Sequence, residues 1–312
     1  MGCSVVMTTY NGGKYIIAML ESLKSQKKQP DEVIICDDCS TDDTVYLVSN
    51  YISQNSLNNW NIIQNEINIG WKKNFRKALS LSKEDYIFLA DQDDIWLPEK
   101  SGEMLSILAN HLEISLLASN YQPFFSNGAE KKEEYKVKGL RLEDASIKQV
   151  KFEDTGLSVM RPGCTFCFRR SLLNEMFEND LEWYSHDGVL WTLALLNGEA
   201  YIYNRVLINF RRHGENATTP LTTYSFQRRL KEVENSIGVN EWALLYVKQK
   251  YPKSKKEVMI QNSLLFSKKR KTVLLSKSLF RVGFFAFINR NYYSTMRNML
   301  GDIFVCLKSH SE

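Results

Sequence analysis

The stretch Tyr86 to Trp96, YIFLADQDDIW, constrains the fold more than any other part of the chain. Its apolar run, Tyr86 to Ala90, stops abruptly at Asp91-Gln92-Asp93-Asp94. A short run of this composition predicts a buried strand of a mostly parallel sheet. In open α/β sheets, ligands sit beyond the carboxyl ends of the strands, where this acidic cluster falls. Three carboxylates in four residues repel one another unless something positive joins them. Hard divalent cations take oxygen ligands, and Mg2+ accepts one or two carboxylates together with substrate phosphates. The pattern therefore points to a metal–diphosphate site. A solvated turn that ends a strand is the plainer alternative.

The chain before this stretch has the same rhythm. Ser4 to Met7 predicts a short strand, followed by the polar turn Thr8 to Gly13 and a helix from Lys14 to about Ser25. Val33 to Cys36 predicts a second buried strand that also ends in acid, Asp37-Asp38, and Ser40 or Thr41 is placed to cap the next helix. Asn61 to Ile63 is a third, weaker strand, Asn68-Ile69-Gly70 a turn, and Trp71 to about Ser82 a helix. Alternation of this kind predicts an α/β sheet with right-handed crossovers. The charged segment Ser126 to Lys138 predicts a mobile excursion. Gly163 to Phe168 then predicts a strand, Asp187 opens a helix, and Ala200 to Phe210 forms one or two short strands. Beyond Pro220 the strand signals vanish, and Tyr224 to Tyr251, the segment after Lys255, and Val282 to Leu307 predict helices.

Composition bounds the class. With 312 residues, 44% hydrophobic and 24% charged, the chain can bury a full core, so disorder is not the default. A net charge of +4 conceals an asymmetry: residues 1–216 hold 23 Lys+Arg against 30 Asp+Glu, and residues 217–312 hold 17 against 6. An acidic front and a basic tail predict two regions with different work, 1–216 and 217–312. The N-terminus shows no signal-peptide pattern, and no stretch approaches the ~20 apolar residues of a membrane span. Two CxxC pairs, Cys36/Cys39 and Cys164/Cys167, lie in or beside predicted strands, which favours reduced thiols of a cytosolic protein over a zinc knuckle.

Seven stations in order carry a resemblance: VVMTTYNGGKYI (5–16), ICDDCSTDDT (35–44), NIG (68–70), ADQDDIWLPEK (90–100), RPGCTFCFRR (161–170), SHDGVLW (185–191) and FRRHGEN (210–216). Together they resemble a family 2 glycosyltransferase of the GT-A type over Ser4 to Asn216. One DxD triplet says little; seven stations at fitting spacing say much. The resemblance implies a Rossmann-like, mostly parallel sheet flanked by helices, and a C-terminal helical region follows it in sequence. The DQDDIWLPEK form is most similar to the branch of rhamnosyltransferases of bacterial surface polysaccharides. That implies a nucleotide-sugar donor, with dTDP-rhamnose ahead of UDP-linked glucose, galactose or N-acetylglucosamine. It further implies Mn2+ or Mg2+, inversion at the anomeric carbon, and a glycan or undecaprenyl-linked acceptor.

Each station has a part to play under that resemblance. Asp38 would accept hydrogen bonds from the base or ribose, with Thr8 and Tyr10 lining the base pocket. Asp93 and His213 would hold the cation, and Asp91 would orient the sugar or ribose. Arg211 or Arg212 could grip a phosphate, because a guanidinium fork matches its geometry. Displacement at an anomeric carbon needs a base for the acceptor hydroxyl. Asp187 stands at that station, and His186, where many members carry Glu, would tune it or itself be the base. Gly163-Cys164-Thr165 matches a station near the acceptor. A nucleotidyltransferase would need a Gly-rich loop with several basic residues after the first strand, and TTYNGGKY has one Lys and no Arg. A non-catalytic relative would break the metal or base station, and Asp93, His213 and Asp187 are all present.

The basic tail falls outside the resemblance. Lys268 to Lys271, Lys277 and Arg281 interleave with Val273-Leu274-Leu275 and Phe284-Phe285, a pattern suited to helices lying on an anionic inner leaflet. A solvated basic face or a homodimer interface fits the same pattern. Nucleic acid is a poorer partner, since no basic–aromatic binding fold is recognisable.

Overall fold

The computed structural model describes residues 2–125, 143–179, 181–213, 225–293 and 295–308. The predicted excursion Ser126 to Lys138 and the end of the FRRHGEN station lie outside the described residues. The chain divides into two compact units, Met1–Asn216 and Ala217–Glu312.

The first unit is built on alternating strands and helices: β1 (Cys3–Thr9), α1 (Ile16–Lys24), β2 (Glu32–Asp37), α2 (Thr44–Gln54), β3 (Trp60–Gln64), α3 (Trp71–Leu81) and β4 (Tyr86–Asp91). These four strands are parallel, in the order β3-β2-β1-β4. Their apolar runs are buried from Val5 to Met7, Val33 to Cys36 and Tyr86 to Ala90, as two-sided cover by helices requires. The predicted capping of α2 by Ser40 or Thr41 does not occur. Ser40 Oγ instead donates to Asp37 Oδ1 at 2.5 Å, and Asp42 receives the amide of Thr44 at 3.0 Å.

The remainder of the sheet was not legible in full. After β5 (Ile95–Trp96) and α4 (Lys100–Asn110) comes a ten-residue strand, β6 (Leu116–Phe125). Then follow β7 (Ile147–Gln149), α5 (Phe152–Thr155), β8 (Phe166–Arg169), α6 (Arg170–Glu178), α7 (His186–Asn197) and β9 (Ala200–Arg212). The strand expected from Gly163 begins as a 3-10 turn, Gly163–Thr165, because the Pro162 carbonyl accepts from both the amide and hydroxyl of Thr165. β8 runs antiparallel between β4 and β6, and β9 is one 13-residue strand parallel to β6 and antiparallel to β5. Among the described residues this makes a nine-stranded mixed sheet, ordered β3-β2-β1-β4-β8-β6-β9-β5 with β7 beside β9.

The second unit is helical: α8 (Phe226–Lys250), α9 (Lys255–Leu275), α10 (Leu279–Ile288) and α11 (Met296–Lys308). The helix predicted over Val282 to Leu307 is broken at the 3-10 turn Arg290–Tyr292. Ser225, Ser254 and Ser278 each cap a helix by accepting the amide three residues on. Val233, Leu274, Val282 and Cys306 form a small core. Beside it, buried Asp302 accepts from Arg229 Nε and Arg270 Nε, each at 2.7 Å, and from the Tyr293 hydroxyl at 2.8 Å. Burial pushes the Asp302 carboxyl up, but the bond and charge of Arg270, joined by Arg229, outweigh it and hold the group below its ordinary range.

Removing one partner from a buried ionic cluster leaves the others uncompensated, which costs about 3–5 kcal/mol. Asp302→Ala is therefore expected to destabilise the helical unit by about that amount, read by chemical denaturation, while Asp302→Asn loses less.

Candidate active site

Parallel pairing aligns the strand ends. Thr8 of β1 lies opposite Asp91 of β4, and Thr9 lies opposite Asp37 of β2. The two acids that end β2 are consumed by the chain itself. Asp37 accepts from the Thr9 hydroxyl at 2.7 Å and from the Ser40 amide at 2.8 Å. Asp38, 3% exposed, accepts from the amides of Ile69 and Gly70, both at 2.8 Å, and from Asn65 Nδ2 at 2.9 Å. Asp38, the residue expected to accept from the base or ribose, is held at this strand end, where its amide also donates to the Thr9 carbonyl at 2.8 Å. Asp38 staples the Asn68–Gly70 turn, whose Gly70 takes a φ of 84° that favours glycine.

The turns after β1 and β4 are held as one piece by Gln92. Its Oε1 accepts from the Tyr10 amide at 2.9 Å, and its Nε2 donates to the Tyr10 carbonyl at 3.1 Å. A Cβ on Gly12 would stand 2.2 Å from Gln92 Oε1, so a larger residue there would have to displace this amide. The Tyr10 ring is left about half exposed, and Thr8 is partly exposed.

β9 delivers the last station. Its pairing with β5 sets Ile95 against Asn209 and Trp96 against Ile208, so the end of β9 runs past the acidic turn. There the Arg211 amide donates to Asp94 Oδ1 at 2.9 Å, and Arg211 Nε donates to the Asp93 carbonyl at 2.7 Å. Its guanidinium lies between the rings of Tyr15 and Phe124, at 4.7 and 4.5 Å. Arg212 is buried and lies over Phe210. Arg211 thus braces the turn, and one of these two arginines is the expected phosphate grip. His213 Nε2 meets Asp93 Oδ2 at 2.7 Å, and both side chains are only slightly exposed.

Beneath this pair lies a more enclosed group. One oxygen each from Asp91 and Asp94 and the sulfur of Cys164 fall within 4.8 Å of one another. Enclosure, with the carboxylates of Asp93 and Asp187 nearby, pushes Asp91 from the ordinary 3.8 up to about 7. Burial, then Asp91 and Asp93, push Asp94 well above its ordinary range. The compensating charge is Lys100, fully buried, which donates to the Cys164 carbonyl at 2.5 Å and sits 3.7 Å over the Trp96 ring. Burial lowers this ammonium to about 8, and the carboxylates of Asp94 and Asp91 act in the opposite sense.

The opposite wall is α7, capped by Ser185, which accepts the Gly188 amide at 3.2 Å. Asp187 Oδ1 accepts that same amide at 2.9 Å, so Asp187 sits in the first turn without being the cap. Its side chain lies against Gly163, where a Cβ would stand 2.9 Å from the Asp187 Cβ. His186 turns away into the protein. Its ring stacks on Phe75 at 4.0 Å and meets Trp71 edge-on at 6.1 Å. Burial lowers it to about 4, against the pull of Asp187, so it is neutral at physiological pH. Of the two residues considered as base, Asp187 faces the site and His186 braces it.

Sequence reasoning assembled Asp91, Asp93, Asp187, His213 and the Gly163–Thr165 turn, and the structure brings them together. It did not single out Lys100 or Gln92, and it counted Asp94 only as one of the three carboxylates of the strand-end cluster. The signal available was a Lys and a third acid inside the DQDDIWLPEK station, read there as pattern only.

Residues 4–177 match the family model of glycosyl transferase family 2. The chain belongs to that family. It is accordingly a glycosyltransferase, on a sheet of the GT-A type. Its sequence is similar to the dTDP-rhamnosyl transferase RfbG of Shigella flexneri, 26% identical over 76% of this chain and 80% of that one. It is also similar to the putative glycosyltransferase EpsE of Bacillus subtilis, 29% identical over 45% of this chain and 47% of EpsE. In fold it is similar to residues 1–349 of S. aureus TarS, with a TM-score of 0.61 over 100% of this chain and 92% of that structure at 16% identity. A mannosyltransferase of Pyrobaculum calidifontis, solved with GDP-Man and Mn2+, aligns over 99% of this chain and 86% of its own with a TM-score of 0.54 at 13% identity.

Because folded Asp91 keeps its proton to about pH 7, the folded state binds more protons than the unfolded chain between about pH 4 and 7, and stability falls as pH rises through that window. In chelator, Asp91→Asn is expected to match wild type near pH 4 and to exceed it at pH 8 by on the order of 2–4 kcal/mol in denaturant unfolding. Gly163→Ala should push Asp187 aside and lower turnover about 100-fold, with little change in melting temperature.

Proposed function

We propose that this glycosyltransferase moves a sugar, rhamnose from dTDP-rhamnose, to a hydroxyl of a lipid-linked or growing bacterial surface polysaccharide, with inversion and with help from a divalent cation. The observation that carries the reading is the convergence of Asp93 with His213 on one side and Asp187 against Gly163 on the other, around Asp91. The rhamnosyl assignment is supported by the match to RfbG over most of both chains. The acceptor class, a bacterial envelope glycan, rests on the DQDDIWLPEK form of the station.

The donor set suits a hard cation: carboxylate oxygens from Asp93, with Asp91 behind it, and the His213 imidazole. The Asp91–Asp94–Cys164 group is the other candidate set, but a buried thiol whose proton is held by burial suits Mn2+ or Mg2+ poorly. When bound, Mn2+ or Mg2+ supplies charge neutralisation to the diphosphate leaving group. Thr8 and the exposed Tyr10 ring line the base side, and Asp91 orients the ribose or sugar. On the acceptor side, Gly163-Cys164-Thr165 sets the backbone against which the acceptor hydroxyl rests. Asp187 accepts the hydroxyl proton as the oxygen bonds to the anomeric carbon; the carbon–phosphate-oxygen bond breaks from the opposite face, and its electron pair leaves with the nucleoside diphosphate.

A UDP-sugar donor is the second reading. Its support is the 35% identity over 114 residues to the poly(ribitol-phosphate) beta-N-acetylglucosaminyltransferase TarS of Staphylococcus aureus, although that match covers only 19% of TarS.

A thermal-shift panel of nucleotides with and without Mn2+ separates these, because a ligand bound by the folded state alone raises stability by mass action. dTDP with Mn2+ should stabilise the protein more than UDP, and Asp93→Ala should abolish the metal-dependent part. A larger shift with UDP overturns the rhamnosyl assignment and leaves the site; no shift with any nucleotide overturns the donor site itself. Asp187→Asn is expected to keep the dTDP shift and lose about 1,000-fold in turnover.

A further inference from the structure

The helical unit carries an apolar surface for which its own core has no use. α10, LFRVGFFAFI, has one charged residue, Arg281, and buries Val282 and Ala286 on one side. The opposite side leaves Phe280 81%, Phe284 59%, Phe287 68% and Ile288 59% exposed. α11 packs against α10 and repeats the arrangement, burying Asp302 and Cys306 and exposing Leu300 and Phe304 on the far side. A helix that is apolar all round belongs in a core or against another apolar phase, and a patch of this kind on a surface marks an interaction site. Phe280 and Phe284 already lie parallel, 6° apart in plane, as one slab.

The charges around the slab identify what covers it. Residues 277–308 hold five basic residues, Lys277, Arg281, Arg290, Arg297 and Lys308, and one acid, Asp302. That acid is 1% exposed and bound to Arg229, Arg270 and Tyr293. The outer faces of α10 and α11 therefore carry no acid of their own among the described residues. Arg290 extends over the Phe287 ring at 5.7 Å, which sets a guanidinium at the edge of the apolar slab. We propose that the outer faces of α10 and α11 dock on an anionic lipid bilayer, with the phenylalanines among the acyl-chain ends and the basic rim at the headgroups.

Two alternatives fit less well. A second copy of this chain, paired face to face through α10, would bring Arg281 and Arg290 of one copy toward the basic residues of the other, since neither α10 nor α11 exposes an acid of its own. A span is excluded on length: ten residues of helix reach about 15 Å, half of the ~30 Å hydrocarbon layer, and no described helix is long and apolar enough to cross a membrane. An in-plane helix with an aromatic face and a basic border is the form that binds anionic interfaces. This inference stands apart from the choice of donor, because none of its residues belongs to the active site.

The test is co-sedimentation of the full chain with vesicles of phosphatidylcholine alone and of phosphatidylcholine mixed with phosphatidylglycerol. The expected result is binding to the mixed vesicles that is at least about tenfold tighter than to the neutral ones and that weakens with added salt. The triple variant Phe280→Ser, Phe284→Ser, Phe287→Ser should lose about tenfold or more of that binding with an unchanged melting temperature, since all three side chains are exposed. Arg281→Glu with Arg290→Glu should remove the preference for the anionic lipid. Equal binding to both vesicle types, a triple variant that sediments like wild type, or no binding to either vesicle overturns the proposal. A vesicle-free dimer that the triple variant converts to monomer also overturns it, in favour of the second copy.

Discussion

Carboxylates gathered at the end of a buried strand repel one another and lose hydration, and most of the first unit can be understood as the means by which that state is held together. Asp91, Asp93 and Asp94 follow four strand residues with no access to water, and Asp187 approaches from α7. Lys100 stands beneath them, itself stripped of water, with its ammonium on the Cys164 carbonyl and the Trp96 ring. The Arg211 amide takes one oxygen of Asp94, and His213 takes one of Asp93. Removing one of these partners leaves the acids less compensated and costs stability.

The acids in this unit fall into two kinds, although they look alike in the chain. Those that end β2 each collect three donors from neighbouring turns, and so fix the shape of the strand-end surface. Those that end β4 collect few, and two of them are driven toward their protonated forms. A carboxylate already surrounded by N–H groups is held in its charged form and in a fixed place. One that is short of partners is primed for a cation or a hydroxyl.

This division explains what could be read from residues alone. The β1–α1–β2 and β4 stations declared themselves through apolar runs that stop at acids, because a parallel strand buried on both faces has no other way to be written. Asp93, His213 and Asp187 were legible as stations of a family. The commitment of Asp38 to the Asn68–Gly70 turn was not, since nothing in a linear pattern says that a backbone amide 32 positions on will face it. β6 was missed because its apolar beginning, Leu116 to Ala118, gives way to Ser119-Asn120 and a proline, so it has neither strict alternation nor a clean run. Lys100 was passed over because lysine is almost never fully buried, and only the three-dimensional crowding of acids above it justifies the exception.

The long pairing of β6 with β9 also sets an order of assembly in time. β1 to β4 are joined by local strand–helix–strand connections, whereas β9 must return from beyond residue 200 to close on β6 and on the turn after β4. Contacts between segments so far apart form late, after the loop between them has been closed. On a ribosome, a chain that has emerged through Asn197 can already hold its parallel strands and its acidic turn, yet it has neither the Arg211 amide nor the His213 ring. The last few residues of β9 are therefore what a shorter chain lacks, both for the sheet and for the partners of Asp93 and Asp94.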